Sequence, residues 1–135
     1  MSAAVIYWSG TGNTEAMAKA VAEGAGVESV AVSDFSGNAA DFDALGLGSP
    51  AMGDEVIEES EFEPFFAGIE DKISGKKIAL FGSYDWGDGQ WMRTWEERVK
   101  AAGAVLVNDA GIISNLEPSD DILAQCKELG KKLAE

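Results

Sequence analysis

Short apolar runs closed by glycine or polar turns alternate along this chain with stretches whose apolar residues return every third or fourth position. The first pattern fits strands buried on both faces, and the second fits amphipathic helices packed against them. Residues 3–8 form the first predicted strand. Thr14 is then placed to cap a helix whose inner face holds Met17, Ala18 and Val21 and which Gly24 and Gly26 end. Residues 28–32 predict a second strand, residues 39–42 a short weak helix, and residues 44–48 a third strand that Gly46 weakens. A helix at 61–69, a clearly buried strand at 76–82 and a helix at 90–102 with Trp91, Trp95 and Val99 on one side come next. A strand at 104–107 and a helix at 120–133 close the pattern. Such alternation predicts an α/β fold with a doubly wound, five-stranded parallel sheet between two helical layers, in strand order 2-1-3-4-5. With right-handed crossovers, the loops after strands one, three and four meet at one end of that sheet.

Composition narrows the chemistry. A chain of 135 residues is expected to form one domain over 1–135, with no internal repeat or low-complexity tract. The excess of 24 acidic over 10 basic residues, a net charge of −14, speaks against nucleic-acid and anionic-membrane partners and would attract basic ones. Cys126 is the only cysteine and histidine is absent, so no Cys/His metal cluster is expected, and Cys126 reads as a buried core thiol beside Ile122 and Leu129. With no signal peptide or apolar span in the sequence, the expected location is the cytoplasm.

The loop after the first strand carries the most chemistry. Ser9, Gly10, Thr11, Gly12, Asn13 and Thr14 run from strand into helix, so backbone N–H groups, side-chain donors and the helix start can converge on one anion. A nucleotide-hydrolysing loop would need a lysine before its last hydroxyl residue, whereas the first basic residue is Lys19, inside the helix. A dinucleotide loop would need a third glycine where Glu15 stands, beside which a pyrophosphate would be repelled. A single phosphomonoester held by neutral donors remains, and this loop resembles the phosphate loop of flavodoxins.

The other two loops supply flat and soft surfaces. Met52 lies among the turn residues of Gly48-Ser-Pro-Ala-Met-Gly-Asp-Glu55 and is expected to face a ligand or solvent. Its polarisable thioether can lie against a conjugated ring. Trp86 stands similarly in Ser83-Tyr-Asp-Trp-Gly-Asp-Gly89 and offers a face for stacking. Together the three loops describe a slot for a planar ring on a phosphorylated tail, which points to FMN. Trp8, Trp91 and Trp95 are assigned to packing, with Trp8 adjoining the phosphate loop.

Over nearly its whole length the chain resembles the short-chain flavodoxins of anaerobic bacteria such as clostridia. The resemblance rests on Tyr7-Trp-Ser-Gly-Thr-Gly-Asn-Thr-Glu15, on Ala51-Met-Gly-Asp-Glu55 with its acidic continuation to Phe65, on Gly75-Lys-Lys77, on Gly82-Ser-Tyr84, and on Trp86-Gly-Asp-Gly89 with Trp91-Met-Arg93. It implies a flavodoxin-like fold and a non-covalently bound FMN flanked by Met52 and Trp86. It also implies that Glu55 accepts from flavin N3–H, that backbone N–H groups near Gly87 meet the pyrimidine edge, and that the Gly53 carbonyl turns toward N5 during reduction. Ala51, Asp54, Ser83, Tyr84, Asp85 and Asp88 complete the expected cofactor-binding set. Two departures stand out. Asp85 occupies a position where related sequences carry glycine, and the first helix with the turn after it reads several residues shorter. A carboxylate ~10 Å from an added electron, at an effective dielectric of about 40, contributes roughly 0.8 kcal/mol of repulsion, or ~35 mV.

Asp54, Glu55, Glu58, Glu59, Asp85 and Asp88 are expected around the ring, and the phosphate loop supplies no cation. Those charges disfavour an anionic reduced flavin, so the expected function is a low-potential one-electron carrier that cycles between semiquinone and hydroquinone. Basic-surfaced redox enzymes, such as ferredoxin or flavodoxin reductases and other oxidoreductases, are the expected partners of a monomeric protein. No catalytic residues and no metal ligands are expected. A reductase using NAD(P)H directly would ordinarily carry additional loop segments, and the acidity opposes it. A phospho-receiver domain would need aspartates where Trp8-Ser-Gly and Gly48-Ser49 stand.

Overall fold

A computed structural model gives the fold, and it describes residues 2–52, 56–85 and 87–135. The parallel sheet has the expected order, β2-β1-β3-β4-β5. Its first four strands are β1 (Ala3–Tyr7), β2 (Ser29–Ala31), β3 (Ala44–Gly48) and β4 (Lys77–Tyr84). The fifth, expected as one strand at 104–107, is in two pieces. β5 (Val105–Leu106) pairs with the start of β4, and β6 (Ile112–Asn115) pairs with its end, Phe81 to Tyr84. Between them the 3-10 turn Val107–Asp109 places Asn108 at φ 66°, a left-handed conformation that asparagine tolerates better than most residues. This break leaves β4 paired along both halves and carries the chain after β6 to the same sheet end as the other loops.

Strand alternation sorts the core into two layers. Ile6, Leu45, Leu47, Ile78 and Leu80 point toward α2 (Phe62–Ile69) and α3 (Gln90–Ala101), where Phe62, Phe66, Trp91, Trp95 and Val99 are buried. Val5, Tyr7, Ala44, Ala79 and Phe81 point the other way, toward α1 (Asn13–Ala25) and α4 (Asp120–Leu133). Gly46 lies on that second face in a fully buried strand, and a Cβ there would come within 3.2–3.4 Å of Val5, Val21 and Leu133. Its absence lets both helices settle on the sheet, so this glycine serves packing and does not loosen the strand as its propensity suggests. Gly24 is likewise inside α1 and does not end it. A Cβ on Gly24 would lie 1.9 Å from the Lys127 carbonyl oxygen, and one on Gly130 would lie 1.9 Å from that of Val21, so the two glycines bring α1 and α4 together. Gly26, at φ 76°, is the C-cap.

α2 and α3 are joined at their surface by Arg98. Its guanidinium bonds Glu63 at 2.7 and 2.9 Å and Glu70 at 3.0 and 3.1 Å, and lies 4.8 Å from the Phe66 ring centroid. Hydrogen bonds to the two carboxylates hold its pKa above the usual arginine value. Cys126 is fully buried, as expected, and burial pushes its thiol up to about 12, so it stays protonated and unreactive. No helix among the described residues is long and apolar enough to cross a membrane.

Candidate functional site

The C-terminal ends of β1, β3, β4 and β6 surround an open cavity of about 230 Å³. This is where an α/β sheet with reversed strand order leaves a crevice between diverging loops. One end is polar, lined by Gly10, Thr11, Asn13 and Thr14. The other is largely apolar, lined by Pro50, Ala51, Met52, Tyr84 and Leu116, with Trp8, Ser83 and Asp85 completing the wall. Among the described residues no lysine or arginine lines it, and Asp85 is the charged member of the lining.

Ser9 shapes the polar end from behind. Its Oγ accepts from the amides of Gly12 (3.1 Å) and Glu15 (3.2 Å), folding the loop back on the helix start. Thr11 Oγ1 accepts weakly from Asn13 N at 3.4 Å. The amides of Gly10, Thr11 and Thr14 donate to no described residue, so they remain for an anion. Gly12 is the N-cap of α1 at φ 96°, a conformation that glycine adopts without the penalty a Cβ brings. Thr14, expected as the cap, instead sits inside the helix. Its buried Oγ1 lies 2.9 Å from Ser83 Oγ and tethers the phosphate loop to β4. A Cβ on Gly10 would come within 3.1 Å of the Trp8 indole, so Gly10 lets the loop pass close over that ring.

Glu15 does not point its charge freely at the anion end. Tyr7 Oη donates to Glu15 Oε2 at 3.1 Å, and Lys19 lies 3.9 Å from the same oxygen. Burial, and then the bond to and charge of Glu15, raise the Tyr7 phenol above its ordinary value, so it stays a donor.

The apolar end is built on loops tied to one another. Ala51 N donates to Ser83 O at 3.0 Å, and Met52 and Val56 exchange backbone bonds of 2.9 and 3.1 Å across a narrow antiparallel bridge. Met52 is 37% exposed on the cavity, as its sequence context implied. Gly53, Asp54, Glu55 and Trp86, to which ring contacts were assigned, lie outside the described residues. Gly87, at φ 92°, and Asp88 are exposed beyond the cavity wall, with Asp88 bonded to Arg93 at 3.2 Å. Asp85 is on the wall but is not among the non-glycine residues at positive φ. In this conformation Asp85 therefore brings charge to the wall without backbone strain.

Glu58, expected near the ring, has a different task. It is 4% exposed, and its carboxylate caps the start of α2, accepting from Glu61 N and Phe62 N at 2.8 Å each and from Ser60 N at 2.9 Å. The Ser60 hydroxyl donates to it as well. Burial alone would raise this carboxyl, but the bonds from Ser60, Phe62 and Glu61 together outweigh it and hold the group below the ordinary glutamate value. Glu58 N donates to Ser49 Oγ at 2.9 Å, so the cap also fixes the exit of the methionine loop.

Sequence reasoning gave too small a part to Trp8 and none to Pro50 or Leu116. Trp8, assigned to packing but close to the site by its place beside the phosphate loop, borders the cavity and donates from Nε1 to Glu61 Oε1 at 3.0 Å. Its position next to the phosphate loop was the available signal. Leu116 has none in the sequence, because its place depends on β6 pairing with the end of β4.

Comparison with known proteins agrees with this geometry. The sequence profile of the flavodoxin family matches residues 5–129. The chain is 53% identical to a flavodoxin of Clostridium beijerinckii over 136 aligned residues, covering 96% of this chain and 97% of that one. It is 47% identical to a flavodoxin of Megasphaera elsdenii, covering 96% of each. The solution structure of the two-electron reduced Megasphaera elsdenii flavodoxin superimposes with a TM-score of 0.86 at 43% identity, covering 98% of both chains.

Proposed function

This chain belongs to the flavodoxin family, FMN-binding electron carriers and not enzymes, and on that premise we propose that it carries one electron at a time at low potential between redox enzymes. In this reading bound FMN supplies the redox chemistry, alternating between its semiquinone and hydroquinone forms. The observation that carries the reading is the division of one cavity into a cation-free polar end and an apolar end.

The lining suits the group. Thr11, Asn13 and the amides of Gly10, Thr11 and Thr14 would take the phosphate as neutral donors. Because no lysine or arginine lines the cavity among the described residues, the phosphate charge would stay uncompensated nearby. Met52, Ala51 and Tyr84 would cover the ring, and Asp85 would place a carboxylate beside it. Gly53, Asp54, Glu55, Trp86, Gly87 and Asp88 belong to the same proposed set on the strength of the sequence. An added negative charge is disfavoured in such surroundings, which makes the fully reduced protein a strong reductant. A net charge of −14 would steer the carrier to basic patches on its partners, so electron-transfer rates should fall as salt rises. We place the carrier in the cytoplasm, as one domain and a monomer.

Stepwise anaerobic reduction of the purified protein, followed by absorption and by mass analysis of the released cofactor, tests the reading. A yellow protein that releases FMN and passes through a blue intermediate to a colourless form is the expected result. A colourless protein that FMN cannot reconstitute would overturn it, and direct oxidation of NADPH without a partner would replace a carrier with an enzyme.

A further inference from the structure

Leu116 is out of keeping with its surroundings in two independent ways. Its backbone is at φ 61°, in the left-handed region, which a Cβ-bearing side chain such as leucine rarely adopts. Its side chain is 52% exposed, although large apolar side chains are mostly buried in this fold. Neither feature is a loose end of the loop. Leu116 N donates to Tyr84 O at 2.7 Å, Asn115 Nδ2 donates to the same oxygen at 3.2 Å, and Ser114 Oγ donates to Leu116 O at 3.3 Å. Three bonds therefore fix the unfavourable conformation directly beyond β6. Backbone held in a sparsely populated region by its surroundings is characteristic of ligand clamps.

The exposure also has a location. Among the described residues the exposed large apolar side chains are Met52, Val56, Val105 and Leu116. Two of them, Met52 and Leu116, line the same cavity, and Val56 is bridged to Met52. Met52 leaves the end of β3, whereas Leu116 leaves the end of β6, with β4 between those strands in the sheet. The two apolar groups thus reach the cavity from either side of Tyr84.

We propose that Leu116 is a binding residue for the ring portion of the phosphorylated ligand, its left-handed backbone held by β4 so that the isobutyl group forms an apolar wall from the β6 side. This rests on the FMN reading of the cavity. A fourth strand end then joins the three loops that carry the recognisable motifs, and the contact selects for a planar apolar ring over a phosphorylated polar sugar. The phosphate end is untouched by it, because Gly10, Thr11, Asn13 and Thr14 come from the β1 loop.

The test uses the apoprotein, prepared unmodified and as Leu116→Gly, Leu116→Asn and Leu116→Met, titrated with FMN and with riboflavin by flavin fluorescence. Glycine and asparagine both tolerate the left-handed backbone while deleting the apolar wall. Covering a half-exposed leucine predicts that each raises the Kd for FMN by about fivefold. Riboflavin, which lacks the phosphate, should weaken by the same factor. The urea midpoint of the glycine and asparagine apoproteins should stay level or rise, since strain is relieved, and Leu116→Met should bind within twofold of the unmodified chain. A Kd for FMN unchanged within twofold in both the glycine and asparagine chains overturns the inference. So does a loss confined to FMN, which would place the effect at the phosphate, or a urea midpoint that falls in step with affinity, which would make the role structural. If the unmodified chain binds neither flavin, the functional reading itself fails, and this inference falls with it.

Discussion

Replacing Glu58 by alanine removes the side-chain cap of α2 and keeps the backbone N–H of residue 58 that bonds Ser49. Three backbone amides and one hydroxyl lose their acceptor. Ser60 and Glu61 are exposed, so water can take their amides, and each of these bonds is worth about 0.5–1 kcal/mol net. Phe62 is fully buried, and its stranded amide costs about 1–3 kcal/mol. The sum, about 2–5 kcal/mol, exceeds the usual ~1 kcal/mol of a lost helix cap because one of the donors cannot be rehydrated. Urea unfolding of the apoprotein, followed by far-ultraviolet circular dichroism, reads this directly. With a slope of about 1.5–2 kcal/mol per molar, the midpoint should fall by about 1.5 M. The carboxylate adds a pH signature. Its folded pKa is depressed, so its contribution is complete above the unfolded glutamate value of about 4.3 and is lost as pH falls through the lower folded value. The gap between the unmodified protein and Glu58→Gln should therefore be constant from pH 5 to neutrality and close in stronger acid. A midpoint shift in Glu58→Ala below about 0.3 M, or a gap that widens in acid, would refute the capping argument.

Gly12→Ala should destabilise the apoprotein by roughly 1 kcal/mol through backbone conformation alone, since a Cβ there meets nothing within 4 Å and φ is 96°. A neutral urea midpoint would contradict that. Two other glycines should respond in opposite directions: Gly68→Ala, in open space within α2, should stabilise by about 0.5–1 kcal/mol in thermal or urea unfolding. Gly82→Ala places a Cβ 2.0 Å from the Ser49 carbonyl oxygen and should cost several-fold more than Gly12→Ala, or abolish folding. Asp85→Gly removes a carboxylate from the cavity lining and should raise the lower of the two one-electron potentials by tens of millivolts, measured by anaerobic titration against reference dyes. An unchanged or lower potential would show that Asp85 does not set it.

Features written in neighbouring residues were legible from the chain alone. Strand β3 and helix α4 begin and end where the apolar periodicity places them, because that period is a local property of the backbone. The phosphate loop was legible for the same reason: Ser9 to Thr14 are contiguous, and their donors converge through local turn geometry. Met52 stood out as an apolar side chain among turn residues, and it does reach the cavity. The tertiary structure decided whatever depends on distant segments meeting. Thr14 turned from cap to tether because Ser83, 69 residues away, meets it in the interior. Glu58, taken for a charge near the ring, caps residues only two to four positions ahead, a local signal that reading it for its charge alone passed over. Gly24 read as a helix end and Gly46 as a weak point in its strand, yet together with Gly130 they set how closely α1 and α4 approach each other and the sheet. Leu116 enters the cavity because the edge strand breaks after Leu106 and resumes at Ile112 beside the end of β4. The physical reason is common to Thr14, the glycines and Leu116: periodicity and propensity are summed along the chain, whereas close approach, burial of a donor and the pairing of strand ends are fixed between residues that the sequence keeps apart.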